Sequence, residues 1–296
     1  VQAFVVSFIF WVLNMLIPPN IQLLGLHKSL SFILKCCSNT LIIKLSNISQ
    51  SYDGGENWII KDLDFLIEEK PNQGEFAVIM GMSGSGKSTL LRYIAGLQKP
   101  TQGEILLRGK PINETNRVSM VFQRYSSLPW MSVLENVSLA LEYKGISKKD
   151  REEQAMAMIQ RVGLDGHQHK YAQYPTLSGG QLQRVAIARS MLANPDILLM
   201  DEPFGALDIK TRLQMQDLLC ELWNEFHPTV IFVTHDVSEA VYLADDIYIL
   251  KHAPAHFVEH IDVDLPTYRD RSLKRDPHFT ELVHYLEDKM IDVANR

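Results

Sequence analysis

The sequence is short of cysteine, of excess positive charge and of long apolar runs. Three cysteines occur in 296 residues: Cys36, Cys37 and Cys220. Adjacent thiols match no zinc spacing, and three thiols make no disulfide framework, so a reducing compartment is expected. No set of several apolar stretches of about 20 residues is present, so the chain alone does not form a path across a membrane. Lys and Arg number 29 against 35 Asp and Glu, a net charge of −6. That balance argues against gripping nucleic acid by bulk charge. Repeats and low-complexity tracts are absent as well. What is there is globular usage, 46% hydrophobic and 22% charged. Such usage excludes a largely disordered or collagen-like chain. The length suits one large domain or two ordinary ones.

The N-terminus differs from the rest. Val1 to His27 contain no Asp, Glu, Lys or Arg, and the first acidic residue is Asp53. Val1–Ile17 is almost wholly apolar and runs into Pro18-Pro19, at the short limit of about 17 residues for a membrane span. A secretory signal would carry Lys or Arg ahead of the apolar run and small residues behind it, and this segment has neither. Three readings fit: a membrane-touching helix, a buried helix, or translated sequence upstream of the natural start, which the initial Val also suits. The chemistry described below depends on none of them.

From about Leu41 the pattern becomes short apolar runs separated by helical periodicity. Leu41–Leu45, Phe76–Met80, Val118–Phe122, Ile197–Met200, Val230–Val233 and Ile247–Leu250 suit strands, most of them buried on both faces of a parallel sheet. Leu90, Leu91, Ile94 and Leu97 share helical spacing. Ser147-x-x-Asp150 has the form of a capping box ahead of Ala155, Met158, Ile159 and Val162, with Gly163 as the stop. Met215, Leu218, Leu219, Leu222 and Phe226 make another stripe, and Phe279, Leu282, Val283, Leu286 and Met290 make a last one. Strands alternating with helices predict an α/β fold. The helix-rich stretch from about Arg124 to Leu177 reads as a subdomain inserted into the sheet.

The sharpest local motif is Gly81-Met82-Ser83-Gly84-Ser85-Gly86-Lys87-Ser88, followed by Thr89. It fits the P-loop pattern G-x-x-x-x-G-K-[ST] at every position, with a buried strand entering and an amphipathic helix leaving. Glycines there let successive backbone N–H groups converge on phosphate oxygens, and the helix N-terminus adds its dipole. Lys87 supplies a point charge for the β- and γ-phosphates, and the Ser88 hydroxyl can ligate Mg²⁺. A second site is the strand Ile197-Leu198-Leu199-Met200, which ends in Asp201-Glu202. Adjacent strand residues face opposite ways, so the two acids need not share a task. In a nucleotide hydrolase Asp201 sits near Mg²⁺ and Glu202 orients or deprotonates the attacking water. Two acids after a strand are weak alone and strong beside the phosphate motif.

Leu177-Ser178-Gly179-Gly180-Gln181 decides the class. This LSGGQ run resembles the signature of ABC-type ATPases, and the order of the other parts matches that family. Gln123 follows a strand, Gly205-Ala206-Leu207-Asp208 resembles the D-loop, and Thr234-His235-Asp236 closes a later strand with His235 as the switch histidine. The resemblance covers about Leu41 to Asp270. It implies a P-loop NTPase of α/β class: an ABC ATPase core with a mostly parallel sheet, an antiparallel β subdomain and the inserted helical subdomain at about 124–177. The implied layout is an apolar extension at 1–38, the ATPase domain at 39–270 and a C-terminal helix at 271–296.

The resemblance also implies roles. Tyr52 stacks on adenine. Gln123 reaches Mg²⁺ and the attacking water and couples the site to the helical subdomain. His235 contacts the γ-phosphate. Ser178 and the Gly179 and Gly180 amides open a helix and so form a second anion-binding nest. In the family that nest, with Gln181 and the D-loop Asp208, caps the nucleotide held by the opposite subunit. ATP and Mg²⁺ are the implied ligands. With one phosphate motif and one signature, the chain pairs head-to-tail with another copy or a close relative.

The wider expectation is a peripheral subunit on the cytoplasmic face of the cell membrane. It would serve separate permease subunits and, indirectly, a substrate-binding protein, as bacterial importers usually do, and it would take no nucleic acid. Phe122–Val137, with Leu128-Pro129-Trp130 after the glutamine, resembles the nitrate/sulfonate/taurine branch, as do Ile261–Pro266 and Arg269-Asp270. His252–His260 lacks the Gly and Arg usual before that ending, and Arg124-Tyr125 stands where the branch has an acidic residue. An exporter ATPase, a soluble ABC ATPase of repair or translation, and another P-loop enzyme such as a kinase are the alternatives. LSGGQ and His235 argue against the last. The short stretch between Gln123 and Leu177 argues against the long coiled coil of a repair ATPase.

Overall fold

A computed structural model describes residues 41–68, 74–112, 118–252 and 254–295. The extension at 1–38, with Cys36 and Cys37, lies outside the described residues.

The strands come in two kinds because their apolar patterns do. β2 (Trp58–Glu68) alternates buried and exposed positions from Leu63 onward, the pattern of a sheet with one wet face, while its neighbour β1 (Leu41–Ser51) is mostly buried. They form an antiparallel four-stranded sheet with β4 (Gln102–Leu107) and β5 (Lys110–Pro111), in the order β2-β1-β4-β5. By contrast, β3 (Phe76–Gly81), β7 (Ile197–Asp201) and β8 (Thr229–Val233) are buried at every position. With β6 (Val118–Val121), β9 (Asp246–Leu250) and β10 (Phe257–Asp262) they make a six-stranded sheet, ordered β10-β9-β3-β8-β7-β6. All its pairings are parallel except β10 with β9.

Alternation along the parallel strands divides the core in two. Phe76, Val78, Met80, Leu198, Met200, Val230 and Phe232 face one apolar cluster. Ala77, Ile79, Ile197, Leu199, Ile231 and Val233 face the other, together with β1, β2 and α1 (Lys87–Ile94). The first cluster is closed by α2 (Val133–Tyr143), α3 (Lys148–Arg161), α4 (Gly179–Leu192), α5 (Ile209–Phe226), α6 (Val237–Leu243) and α7 (Pro277–Asn295). The α/β expectation and the division into parallel and antiparallel sheets are both met.

Local chemistry moves some predicted boundaries. β1 runs past Leu45 to Ser51, because a bulge with Asn47 at φ 51° absorbs a break in the alternation. Leu97 does not extend α1: the chain turns at Gly96, φ +71°, and Leu97 is exposed. Ser147 makes only half of a capping box. Its hydroxyl accepts from the Asp150 N–H, but the Asp side chain, one methylene shorter than Glu, takes the hydroxyl proton at 2.7 Å instead of reaching the cap's amide. Complete boxes occur at Ser132 with Glu135 and at Ser178 with Gln181.

Parallel pairing has one consequence for function. The C-terminal ends of β6, β7, β8 and β3 lie side by side at one edge of the sheet, with Val121 opposite Met200, Asp201 opposite Val233, and Val233 opposite Ile79. The loops after these strands carry Gln123, Glu202, His235 and the glycine-rich run. Open α/β sheets bind ligands at that edge.

Phe232 stands in the middle of this sheet, 5.9 Å from the Phe76 ring and 5.6 Å from the Phe204 ring between centroids. Phe232→Ala should therefore cost about 3–5 kcal/mol of stability, read as a lower urea midpoint with far-UV circular dichroism unchanged in native buffer.

Candidate functional site

The glycine-rich loop leaves β3 at Gly81 and enters α1 at Lys87. Gly86, at the N-cap, has φ +94° and makes no side-chain cap bond. That left-handed backbone is open to glycine and strained for other residues, so the first turn's N–H groups are left for a ligand. Ser83 and Gly84 are exposed, and Ser88 and Thr89 are half-buried. The Ser85 hydroxyl is buried and has no hydrogen-bond partner, an arrangement buried polar groups avoid without a ligand or water.

Lys87 is 5% exposed and reaches back over its own loop, with Nζ donating to the Gly81 carbonyl at 2.8 Å and the Met82 carbonyl at 2.9 Å. Burial pushes its pKa below the usual lysine range, while Glu202 and Asp201 push it back up. An ammonium held this way is poised to exchange carbonyl partners for an anion.

Across the loop, the Ser88 hydroxyl donates to Asp201 Oδ1 at 3.0 Å. Asp201 ends β7 and is 9% exposed. Burial raises its pKa, the Ser88 bond opposes that, and neighbouring Glu202 adds to it. Glu202 is the next residue, in a left-handed conformation at φ 43°, with its N–H donating to Val233 O at 3.0 Å. A non-glycine residue there costs about 1–2 kcal/mol. The turn swings its carboxylate toward the neighbouring strand ends. Gln123 Nε2 donates to Glu202 Oε2 at 3.4 Å, and His235 Nδ1 lies 3.1 Å from the same oxygen. Loops from three strands thus meet at one carboxylate.

The LSGGQ segment is built separately. Ser178 is the N-cap of α4, so the helix begins inside the motif, at Gly179. Gln181 N donates to Ser178 Oγ at 3.3 Å and Ser178 N to Gln181 Oε1 at 2.9 Å, a closed box that opens the first turn of α4. Gln181 Nε2 also meets His167 Nε2 at 2.7 Å. Gly179 lies under the Tyr125 hydroxyl: a Cβ there would come within 2.1 Å of that oxygen. Ser178 is exposed and bonds within its own turn. Asp208 caps α5 by accepting from the Thr211 N–H at 3.0 Å, and the Thr211 hydroxyl together with that N–H lowers its pKa. Tyr52 follows β1 with its ring 65% exposed, and its hydroxyl accepts from Gln98 Nε2 at 3.0 Å.

Of the residues picked out by sequence, the structure brings together Lys87, Ser88, Gln123, Asp201, Glu202 and His235. Tyr52, Asp208 and the Ser178 turn stand apart from this group in their hydrogen bonding. Sequence reasoning missed Arg212, whose Nη1 lies 3.1 Å from Asp236 Oδ2 and whose Nη2 donates to Leu207 O at 3.4 Å. That guanidinium ties the Gly205–Asp208 loop to the His235 turn. It missed Glu239 too, although Asp236-x-x-Glu239 carries the form of a helix start.

The ABC transporter family profile matches residues 66–205. An uncharacterized ABC transporter ATP-binding protein of Methanocaldococcus jannaschii is 42% identical over 84% of this chain and 92% of its own length. The nitrate import ATP-binding protein NrtD of Synechocystis is 40% identical over 80% and 90%. The taurine import ATP-binding protein TauB of Escherichia coli O157:H7 is 38% identical over 85% and 98%. Among solved structures, an ATP-binding cassette in a dimeric post-hydrolysis state with ADP and Pi superposes with a TM-score of 0.64 and 33% identity, covering 76% of this chain and all of that one. The chain belongs to the family of ABC transporter ATP-binding proteins.

Proposed function

We propose that this chain is the ATP-binding and ATP-hydrolysing subunit of an ABC importer. The observation that carries the reading is the convergence of Gln123 and His235 on the one Glu202 oxygen, beside a loop whose lysine donates to carbonyls of that same loop. The orphaned Ser85 hydroxyl and the open first turn of α1 fit a bound polyphosphate. Gly81, Ser83, Gly84, Ser85, Gly86, Lys87, Ser88 and Thr89 would hold the phosphates, and Tyr52 would stack on the base. For Mg²⁺ the donor set is all oxygen: the Ser88 hydroxyl, the Asp201 carboxylate and the Gln123 amide, with the nucleotide's phosphates. Once bound, the ion would neutralise charge on the phosphates.

Hydrolysis then assigns a task to each side chain. A water oxygen attacks the γ-phosphorus, its proton passes to Glu202, and the bond to ADP breaks. Gln123 and His235 aim the Glu202 carboxylate and the water, and Lys87 meets the charge on the phosphate oxygens.

A second copy completes the site in this reading. The Ser178 turn opens α4 and shares no hydrogen bond with the loop at 81–88 among the described residues, so it would serve a nucleotide held by a partner. Gly179, Gly180, Gln181 and Asp208 would line that seam. The related cassette solved with ADP and Pi is dimeric. No helix among the described residues is long and apolar enough to cross a membrane, and permease subunits would supply the path, with this subunit on the cytoplasmic face. Residues 124–177 would be the helical subdomain that meets them, within a domain spanning 39–270. Trp130, 69% exposed, fits that docking role. Nitrate and taurine import by the named relatives points to nitrate, a sulfonate, taurine or a similar small anion as cargo.

Glu202→Gln should keep ATP binding while turnover falls about 10²- to 10⁴-fold, and an ATP-bound dimer should accumulate on gel filtration. Undiminished hydrolysis would remove Glu202 as the base. Lys87→Ala should weaken nucleotide binding by about 1.5–3 kcal/mol, roughly ten- to a hundredfold in Kd by calorimetry. Unchanged affinity would remove the loop from the phosphate site.

A further inference from the structure

The residues flanking His235 are held by a buried polar relay that reaches the C-terminal segment. Asp236 N donates to the Thr234 hydroxyl at 3.1 Å, and that hydroxyl donates to Glu239 Oε2 at 2.5 Å. Glu239 Oε1 accepts from Gln216 Nε2 on α5 at 3.0 Å. Gln216 Oε1 accepts from Lys274 Nζ at 2.7 Å, and Lys274 belongs to the 3-10 turn Arg271–Arg275. Thr234, Gln216 and Glu239 are all buried. The Lys274 ammonium also sits 4.3 Å from the centre of the Tyr242 ring.

The two ends of the relay fix the direction of every bond between them. Lys274 can only donate, so it claims the oxygen of the Gln216 amide and leaves the NH₂ for Glu239. The Glu239 carboxylate can only accept, so it claims the Thr234 proton. The hydroxyl then has only lone pairs left, and these receive the Asp236 N–H. Burial raises the Glu239 pKa, and the bonds from Thr234 and Gln216 counter it. Burial lowers the Lys274 pKa, with Asp236, Asp217 and Glu239 opposing. In a site this dry, losing the cation frees the Gln216 amide to turn over, and the order of the whole relay is lost.

We propose that Lys274 is a positioning residue for His235: through Gln216, Glu239 and Thr234, the C-terminal segment sets the turn that presents the imidazole to Glu202. This rests on reading the His235–Glu202 pair as the working centre of ATP hydrolysis. The C-terminal segment thereby gains a part in turnover that packing alone does not give it, and displacing the 3-10 turn would slow hydrolysis without touching the nucleotide.

The test compares Lys274→Met, which keeps most of the aliphatic stem, with Lys274→Arg, which keeps the charge. In the purified chain, Lys274→Met should lower kcat for ATP about ten- to a hundredfold, with KM and melting temperature close to those of the parent. Lys274→Arg should recover most of the rate. In a His235→Ala background Lys274→Met should cost nothing further, because both act through one group. An unchanged kcat, or an equal loss with and without His235, overturns the proposal. If Lys274→Met does not fold, Thr234→Val against Thr234→Ser asks the same question from the other end, with Ser expected to keep the rate and Val to lose it. Equal rates in that pair also overturn it. Retained turnover in Glu202→Gln would instead fault the reading of the site itself, so the two failures are distinguishable.

Discussion

The hydrogen bond from the Ser88 hydroxyl to Asp201, 3.0 Å long, joins the first turn of α1 to the end of β7. It closes only because β3, β8 and β7 are neighbouring parallel strands whose ends share an edge. That alignment in turn needs strands with apolar side chains on both faces, since α2 to α7 cover one side of the sheet and the antiparallel sheet with α1 covers the other. A charged substitution within β3, β7 or β8 would disturb the core and would also shift the loops that carry the polar groups.

Glu202 is where the loops meet. Its left-handed backbone stores strain, and its N–H is tied to Val233, so the residue is held by β8 as much as by its own strand. Strain kept at a polar junction is characteristic of a functional position. His235 approaches from β8 and Gln123 from β6, one from each side of β7. A movement of either outer loop is therefore felt at one oxygen. Arg212 extends this arrangement to the loop before α5, which precedes the proposed partner-facing cap at Asp208.

Much of this was legible in the sequence because the deciding parts are contiguous. The 81–88 loop is a local backbone motif, LSGGQ is a helix start, and the all-apolar runs of β3 and β7 announce burial on both faces. What stayed hidden depends on contacts between distant segments. Nothing near Lys274 indicates that its ammonium meets Gln216 on α5, and nothing near Arg212 indicates Asp236. Tyr125 was visible as a departure from the branch pattern, but its seat over Gly179 was not. Local readings also failed where one atom decided the outcome. A carboxylate one methylene too short spoiled the Ser147 box, and the turn at Gly96 cut α1 short of Leu97.

The two halves of the proposed site, the loop at 81–88 with its carboxylates and the Ser178 turn, are joined by no hydrogen bond among the described residues. The most direct measurement is a structure of the Glu202→Gln chain with ATP and Mg²⁺ bound. Ser178 Oγ and the Gly180 N–H of one protomer should then lie within hydrogen-bond distance of the γ-phosphate gripped by Lys87 of its partner. A nucleotide bound at Lys87 with the Ser178 turns of both copies left in solvent would contradict the shared pocket.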